Sequence, residues 1–586
     1  QPLVSRAHAS IEPIYAPPRH HNRLHLGRTT PARAGRRTHR RRRASRTHRR
    51  RAAAPPCSAG ALEANEEPCG GSRLPKAQLI TALTMEVWGG WDARLPGTIR
   101  SLCRLSSGTT MDVVSWDSAK RAAQRVGSLQ ALSEGVSHEA YGWVQQPLYE
   151  AVLRRHLAAA PRECTLTAHY GWSVVDAARI GGEWLVELER TRRGGGHYAE
   201  VGLDGLTSDA GDHAACPNAR RVERRTVKAR VLVGCDGGRS STRRHLPGAD
   251  LRGKGALGAS LTVVFRRPGM LELLRRQVGP DVPSGAAYSF RKPGQWPAHV
   301  WQIDGEEELY YGIVSYPTAC DAPGWLSAGE VSDASRALRV LEAACDCVEP
   351  WGPGLEALQC WFWTPYSLCA EKWTLDRPAA ALAGDAAHLL SPLGGFGMNL
   401  GVGDAASLGW RLAAVLNGWL EPGAALSGYE AERREAWARC NDYVVSERAR
   451  LMSSGSRDAG GRGGAYETAL LGACVDGRAR VGLRLPSLPG ALLEARGVTL
   501  VVVGDDLAAA VEPAFRAACD RIGIPCRACS VDGAEAAVAA AFGDHRLAIC
   551  RPDAVVTHLS AASLPDGVAD GGSSVAAEAL LLSRRP

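Results

Sequence analysis

The sequence contains no run of about 18 or more uncharged apolar residues, which argues against a membrane-spanning helix. Its apolar stretches are short, and Val-Thr-Leu-Val-Val-Val at 498–503 stops at Gly504-Asp505, as a buried strand does. Lysine is scarce, with 6 residues against 64 arginines, a bias that suggests GC-rich codons. The 17 cysteines are odd in number, scattered and mostly in apolar surroundings. That argues against a disulfide scaffold and makes reduced, buried thiols the expectation. What is present is ordinary for a folded chain: 586 residues, 45% hydrophobic and 22% charged, enough for two or three domains with filled cores.

The formal charge of +9 is not a property of the whole chain. Residues 1–60 carry 15 arginines and a single acid, Glu12, a balance of +14, so the other 526 residues stand near −5. A mildly acidic body gives no reason to expect nucleic-acid binding. The basic segment itself has no apolar periodicity and repels itself, so it is expected to be disordered. Three origins fit it: a basic arm for nucleic acid or nuclear import, an organelle transit peptide, or a stretch translated out of frame. The Arg-rich composition favours the last, and translation of the coding DNA in all three frames tests it. A cytoplasmic location is favoured, with organelle import the alternative if residues 1–60 are genuine.

From residue 61 the pattern is that of an α/β protein. A strand ends at Glu63, and residues 76–88 lead into a helix. Residues 146–157 follow a helical period with Leu148, Val152, Leu153 and Leu157 inward. Strands follow at 173–175 and 184–189, with a polar Gly-rich loop at 193–217 and a short buried strand at 228–234. Residues 256–373 change to long alternating strands at 260–265, 299–303, 309–315 and 358–363, an antiparallel sheet with one face toward a cavity. A buried strand returns at 379–384, helices follow at 398–416 and 428–452, and the tail at 498–558 alternates strand and helix.

The strongest chemical signal is Gly384-Asp-Ala-Ala-His-Leu-Leu-Ser-Pro-Leu-Gly-Gly-Phe-Gly-Met-Asn-Leu400. A strand running into Gly-Asp sets Asp385 at its carboxyl end, where α/β folds bind ligands and a carboxylate can accept from sugar-like hydroxyls. Gly394, Gly395 and Gly397 let the backbone approach a flat ligand, and the helix beginning near Met398 aims free N–H groups at it. A second signal is Val231-Leu-Val-Gly-Cys-Asp-Gly-Gly-Arg-Ser-Ser-Thr-Arg243, in which Gly237 and Gly238 permit a tight turn after Asp236. A third is Gln146-Pro-Leu-Tyr-Glu-Ala-Val-Leu-Arg154, and a fourth is Leu74-Pro-Lys-Ala-Gln-Leu-Ile-Thr-Ala-Leu-Thr-Met-Glu86.

Together these segments resemble the FAD-dependent single-component aromatic hydroxylases, the flavoproteins that include phenol, hydroxyphenylpropionate and polyketide hydroxylases. The resemblance covers roughly residues 61–570. It implies that Asp385 binds the ribityl chain of FAD and that Pro392 lies beside the reacting isoalloxazine ring. It also implies that Gly394, Gly395, Gly397, Met398 and Asn399 surround the pyrimidine edge. Asp236 and Gly237 would support FAD and pyridine nucleotide, Gln146 the flavin chain, and Glu63 the ribose. Lys76 stands where the family usually carries Arg, as does Leu83, and Lys cannot reproduce a guanidinium fork. Residues 1–60 contain no Gly-x-Gly-x-x-Gly, the loop that cradles pyrophosphate in this family. No metal ligation is expected, and His388 is expected to be structural.

The implied architecture is a Rossmann-like FAD-binding domain in two parts, 61–255 and 376–455. A β-sheet substrate domain at 256–375 is inserted between them. A linker at 456–490 then leads to a thioredoxin-like domain at 491–586. Cys526-Arg-Ala-Cys529 has redox spacing but falls in a strand, and Gly504-Asp-Asp506 occupies the position where a redox pair would sit, so the tail is expected to serve packing or dimerisation. The implied chemistry is hydroxylation of a phenolic or other aromatic substrate with NAD(P)H and O2 through a C4a-hydroperoxyflavin. Another oxidation on the same fold, such as epoxidation, or a remnant unable to hold FAD, are the alternatives. Trp301, Tyr310, Tyr311, Trp361 and Trp363 are candidates for the cavity wall, most of them packing the core.

Overall fold

The computed structural model describes residues 58–63, 77–106, 112–117, 122–128, 137, 139–159, 165–191, 222–255, 257–278, 287–291, 298–316, 333–347, 350–453, 498–533, 538, 542, 544–552, 556–561 and 563–565. Lys76, the 193–217 loop, the 456–490 linker and nearly all of the basic segment lie outside them. The chain forms β1 (Ser58–Glu63), β2 (Leu79–Ile80), α1 (Ala82–Trp91), β3 (Asp112–Asp117), β4 (Ala122–Ser128), β5 (Gly142–Trp143), α2 (Gln146–Ala158) and β6 (Thr165–Tyr170). It continues through β7 (Ser173–Ile180), β8 (Glu183–Thr191), β9 (Val222–Ala229), β10 (Val231–Gly234), α3 (Ser241–Arg244) and β11 (Leu251–Lys254). Strand β1 does end at Glu63 but starts at Ser58, three residues earlier than the sequence suggests, and pairs in parallel with β6. The expected single strand at 228–234 is two, β9 ending at Ala229 and β10 starting at Val231, because they belong to different sheets.

The middle of the chain forms β12 (Ala259–Arg266), α4 (Met270–Val278), β13 (Ala287–Arg291), β14 (Ala298–Asp304), β15 (Leu309–Tyr316), α5 (Ala334–Cys345) and β16 (Glu356–Trp363). These strands make a seven-stranded sheet in the order β16-β12-β15-β14-β13-β3-β4. Strands β3 and β4 come from the segment expected to stay within 61–255. They join this sheet because β3 finds a parallel partner in β13. Nor is the sheet open on one side along its whole length, since β12 is buried at seven successive residues. Leu261, Val263 and Phe265 pack with Leu338 and Leu341 of α5 in one core cluster, and Val264 on the other face packs with Ile303 and Tyr311.

The helix fits closely because β15 carries Gly312 beneath it. A Cβ there would lie 2.1 Å from Leu341 Cδ2, and Leu341 is itself fully buried. Gly312→Ala is therefore expected to destabilise the fold by about 1–3 kcal/mol through overpacking. Urea denaturation checks this.

The chain then returns through β17 (Ser367–Ala370), β18 (Thr374–Asp376), β19 (Ala379–Leu382), a 3-10 turn (Gly384–Ala386), β20 (His388–Leu389), α6 (Phe396–Leu416) and α7 (Pro422–Ser453). Ala379-Ala-Ala-Leu382 is buried throughout, as a strand covered on both sides must be, and lies between β10 in parallel and β18 antiparallel. Trp184 donates its Nε1 to the Ala379 carbonyl at 2.9 Å and Tyr429 donates its hydroxyl to Leu382 O at 2.8 Å, so the strand is pinned from both flanks.

The tail is β21 (Val498–Val503), α8 (Asp505–Ile522), β22 (Cys526–Val531), β23 (Leu547–Cys550) and β24 (Val556–Ser560), in the order β22-β21-β23-β24. Period-two alternation divides β21 between two cores. Val498, Leu500 and Val502 pack toward Trp410 and Ala414 of α6, whereas Val501 packs with Val538 and Phe542. Cys526 and Cys529 lie in β22, three residues apart, and neither is in a disulfide.

Candidate active site

The site forms where β19 ends against the start of α6. After Leu382 the chain turns at Gly384, whose φ of +59° favours glycine, and enters the 3-10 turn that carries Asp385. Asp385 is exposed to solvent, yet enough protein surrounds it that desolvation raises its pKa above the ordinary carboxylate value. His388 opposes that rise and Asp404 adds to it. Accessible but desolvated describes a carboxylate set in a concavity.

Farther along the chain Pro392 is exposed and its carbonyl accepts from Gly395 N–H at 2.9 Å, closing a turn that leads into α6. Gly394 and Gly395 have φ of +90° and +69°. A Cβ would lie 2.6 Å from the Phe396 ring at the first and 2.9 Å from Leu79 Cδ2 at the second. Glycine is demanded at both positions by the protein itself. Gly397 is different, because a Cβ there would meet nothing within 4 Å, so space lies open beside the first turn of α6.

Asn399 lies in the first turn of α6. Its side chain does not turn toward that open space. Its Oδ1 accepts from Thr81 N at 3.0 Å, Thr81 Oγ1 at 3.1 Å and Thr84 Oγ1 at 2.7 Å, while Nδ2 donates to Leu79 O at 3.0 Å and Gly395 O at 2.8 Å. Five hydrogen bonds spend the amide on clamping the N-cap of α1 to the N-terminus of α6. Met398 packs on the cluster of Ile80, Met85 and Trp88.

The turn at 235–240 lies alongside. The Asp236 carboxylate is taken up within its own turn, accepting from Thr242 N at 2.9 Å, Thr242 Oγ1 and Ser241 Oγ at 3.1 Å, and also from Ser240 Oγ. Burial works against its charge, but these donors hold its pKa below the usual carboxylate value. Gly237 has φ of +75° and open space beside it. Arg243 bridges the two turns, donating to Ala386 O at 2.8 Å and Gly238 O at 2.7 Å. The motif contains that arginine, but only the fold reveals its reach across 143 residues of sequence.

Gln146 opens α2, where its Oε1 accepts from Ala77 N–H at 3.3 Å and its Nε2 donates to Glu150 at 2.7 Å. Leu157, expected to face inward on this helix, is 51% exposed, because Tyr149 and Val152 supply the buried contacts instead. The described part of Glu63 is its place at the end of β1.

One face of the seven-stranded sheet reaches this site. Trp301 Nε1 donates to Gln78 Oε1 at 2.6 Å, one residue from the Leu79 that packs on Gly395. Trp301 stacks on Tyr311 at 4.6 Å, Tyr311 meets Trp361 edge-on at 5.7 Å, and Trp143 meets Trp301 edge-on at 6.2 Å. Trp363 donates to Thr262 Oγ1 on the same face at 2.9 Å. Tyr310 belongs to the opposite face and stacks on Phe265, since neighbours in a strand point apart. It is core, not wall.

Beneath the site lies an ion cluster that the sequence did not bring to notice. Asp404, fully buried on α6, accepts from His388 Nε2 at 2.7 Å, Gly384 N–H at 2.9 Å and Arg433 Nε at 2.7 Å. Desolvation alone would raise the Asp404 pKa, but His388 and Arg433 pull it down to about 2. His388 also packs on Trp373, ring centroids 5.1 Å apart, which agrees with a structural role.

Comparison with known proteins finds similar sequences and folds. The family described as FAD binding domain covers residues 183–284 and 348–443. The chain is 33% identical to 4-methyl-5-nitrocatechol 5-monooxygenase of Burkholderia sp over 239 residues, 39% of either chain. It is 29% identical to rifampicin monooxygenase of Rhodococcus hoagii over 249 residues, 39% of this chain and 43% of that one. The matched region thus spans about two fifths of these relatives' length. In fold it is similar to aklavinone-11 hydroxylase in its complex with FAD and aklavinone, with a TM-score of 0.63, 21% identity, and 89% and 94% of the two chains covered. Over these segments the chain is thus similar in sequence to an FAD binding domain and to monooxygenases, and its mixed α/β fold is similar to that of an FAD-bound hydroxylase. No helix among the described residues is long and apolar enough to cross a membrane.

Proposed function

We propose that this chain is an FAD-dependent monooxygenase that hydroxylates a phenolic or other aromatic substrate with NAD(P)H and O2. The observation that carries the reading is the pairing of Asp385, accessible but desolvated, with the open first turn of α6 beside Gly397. The residues present fit a flavin. Asp385 would accept from the ribityl hydroxyls. The N–H groups at the start of α6, around Gly395, Gly397 and Met398, would face the electron-rich pyrimidine edge, where a helix N-terminus favours negative charge. Gly394 keeps the approach free of side-chain bulk, and Pro392 would flank the ring. The turn of Asp236 and Gly237, with Gln146, would border the chain of the cofactor, and Glu63 at the end of β1 would lie toward its ribose.

When bound, FAD supplies the two-electron and O2 chemistry, and the protein supplies orientation and exclusion of water. Trp301, Tyr311, Trp361 and Trp363 form an aromatic wall suited to a flat substrate lying between sheet and cofactor. The seven-stranded sheet then serves as the substrate domain. The parallel β21–α8–β22 unit with antiparallel β23 and β24 supports a thioredoxin-like reading of the tail, whose role is packing onto α6 or pairing two copies of the chain.

Adding FAD to the purified chain is expected to give the absorbance bands of a bound flavin. Aromatic substrates should then stimulate NAD(P)H consumption, with one oxygen atom appearing in the product. A protein that takes up no FAD would sink the proposal.

A further inference from the structure

We infer that Asp404 is a positioning residue for the cofactor, fixing the separation between the turn that carries Asp385 and the helix end that faces the flavin ring. The inference rests on the flavin reading of the site. Asp404 lies two turns into α6, the helix whose first residues border the open space at Gly397. One carboxylate oxygen, Oδ2, accepts from both Gly384 N–H and His388 Nε2, which flank Asp385 on either side. The other, Oδ1, accepts from Arg433 Nε of α7. A single buried group therefore ties the start of the 3-10 turn, the start of β20 and two helices to one point.

The surrounding residues are shaped for that tie. Gly384 and Gly401 cross closely, and a Cβ on Gly401 would stand 3.4 Å from Gly384 Cα. That approach brings the strand end against α6, within reach of Asp404. Gly403 leaves the path for Arg433, whose Nη2 would lie 2.8 Å from a Cβ at that position. Arg433 continues to Leu400 O at 3.3 Å, gripping the helix a turn earlier. Asp404 touches no ligand itself. It acts through Gly384 and His388 on where Asp385 points, and through α6 on where the N–H groups stand, so a flexible cofactor would meet both at one spacing.

The experiment titrates FAD into the full-length apoprotein of the wild type and of D404N, well below their melting temperatures, with flavin fluorescence as the readout. Asn keeps an acceptor for Gly384 but not the charge that holds His388 and Arg433. D404N is expected to weaken FAD binding by roughly tenfold or more. His388→Ala should weaken it as well, and His388→Gln, which retains a donor toward Asp404, should recover part of the loss. Arg551→Met disturbs a different buried ion pair, the one with Glu432. It is expected to lower the melting temperature and to leave FAD affinity within about twofold, since it lies outside this network. Wild-type affinity in D404N, or His388→Gln no better than His388→Ala, overturns the inference and leaves the flavin reading intact. If the wild type binds no FAD, both fall together. If D404N does not fold, the two His388 variants decide.

Discussion

Glu432→Ala is expected to destabilise the protein by about 3–5 kcal/mol, the cost of breaking a buried ion pair from one side. Glu432 of α7 receives Arg411 of α6 at 2.8 Å and Arg551 of the tail through two bonds of 2.7 and 2.8 Å. Both arginines are fully buried, with their guanidinium carbons 4.3 and 5.0 Å from the Trp410 ring. Neither can shed its charge by deprotonating. Removal of Glu432 therefore takes from both cations the acid they share between the helices and the tail. Replacing the whole triad, R411M/E432L/R551M, is expected to recover most of the loss, because an apolar set needs no counter-charge. Calorimetry of the three proteins measures this, and a loss under about 1 kcal/mol for Glu432→Ala, the level of an exposed pair, would show that the triad does not anchor the tail.

The same acid gives the chain a pH signature. Desolvation would raise the Glu432 pKa, but Arg551 and Arg411 outweigh it and bring it to about 2 from 4.5. A carboxyl whose folded pKa is depressed lends stability that is present above its unfolded value and lost as pH falls toward the folded one. Asp404, also near 2, acts in the same direction. Melting temperature should therefore fall between about pH 4.5 and 2, and more shallowly in Glu432→Gln.

Asp385→Asn is expected to weaken FAD binding by roughly 10- to 150-fold, the worth of hydrogen bonds to a charged group. Apoprotein stability should move the other way. The raised pKa of Asp385 means that its ionised form is disfavoured in the fold, chiefly by desolvation and also by Asp404. Stability tied to such a group is present below the unfolded pKa and lost as pH rises through the folded one, so at neutral pH the wild type carries a penalty that Asn lacks. The variant should melt at the same temperature or higher without FAD. Weaker binding together with an unchanged or firmer apoprotein marks a ligand-facing group, since a scaffold residue would lose both. Unchanged FAD affinity would remove Asp385 from the site.

The sequence by itself determined what local chemistry encodes. The all-apolar Ala379–Leu382 run, the Gly-Asp step after it and the glycines at 394, 395 and 397 announce a buried strand, a turn and a helix start, because backbone freedom and burial are written residue by residue. Asp385 and the Asp236 turn were legible for that reason, and so was a structural His388. Tertiary structure decided the rest, because it depends on which distant segments meet. Asn399 proved to be a clamp, since Thr81 and Thr84 lie more than 300 residues away in sequence and adjacent in space. Strands β3 and β4 crossed into the large sheet because β13 offered an edge, and Tyr310 and Tyr311 parted to opposite faces of it. Asp404 and Glu432 are ordinary acids on helices until Arg433, Arg411 and Arg551 close around them. Burial without a partner would be prohibitive for either carboxylate, and only the folded chain supplies the partners.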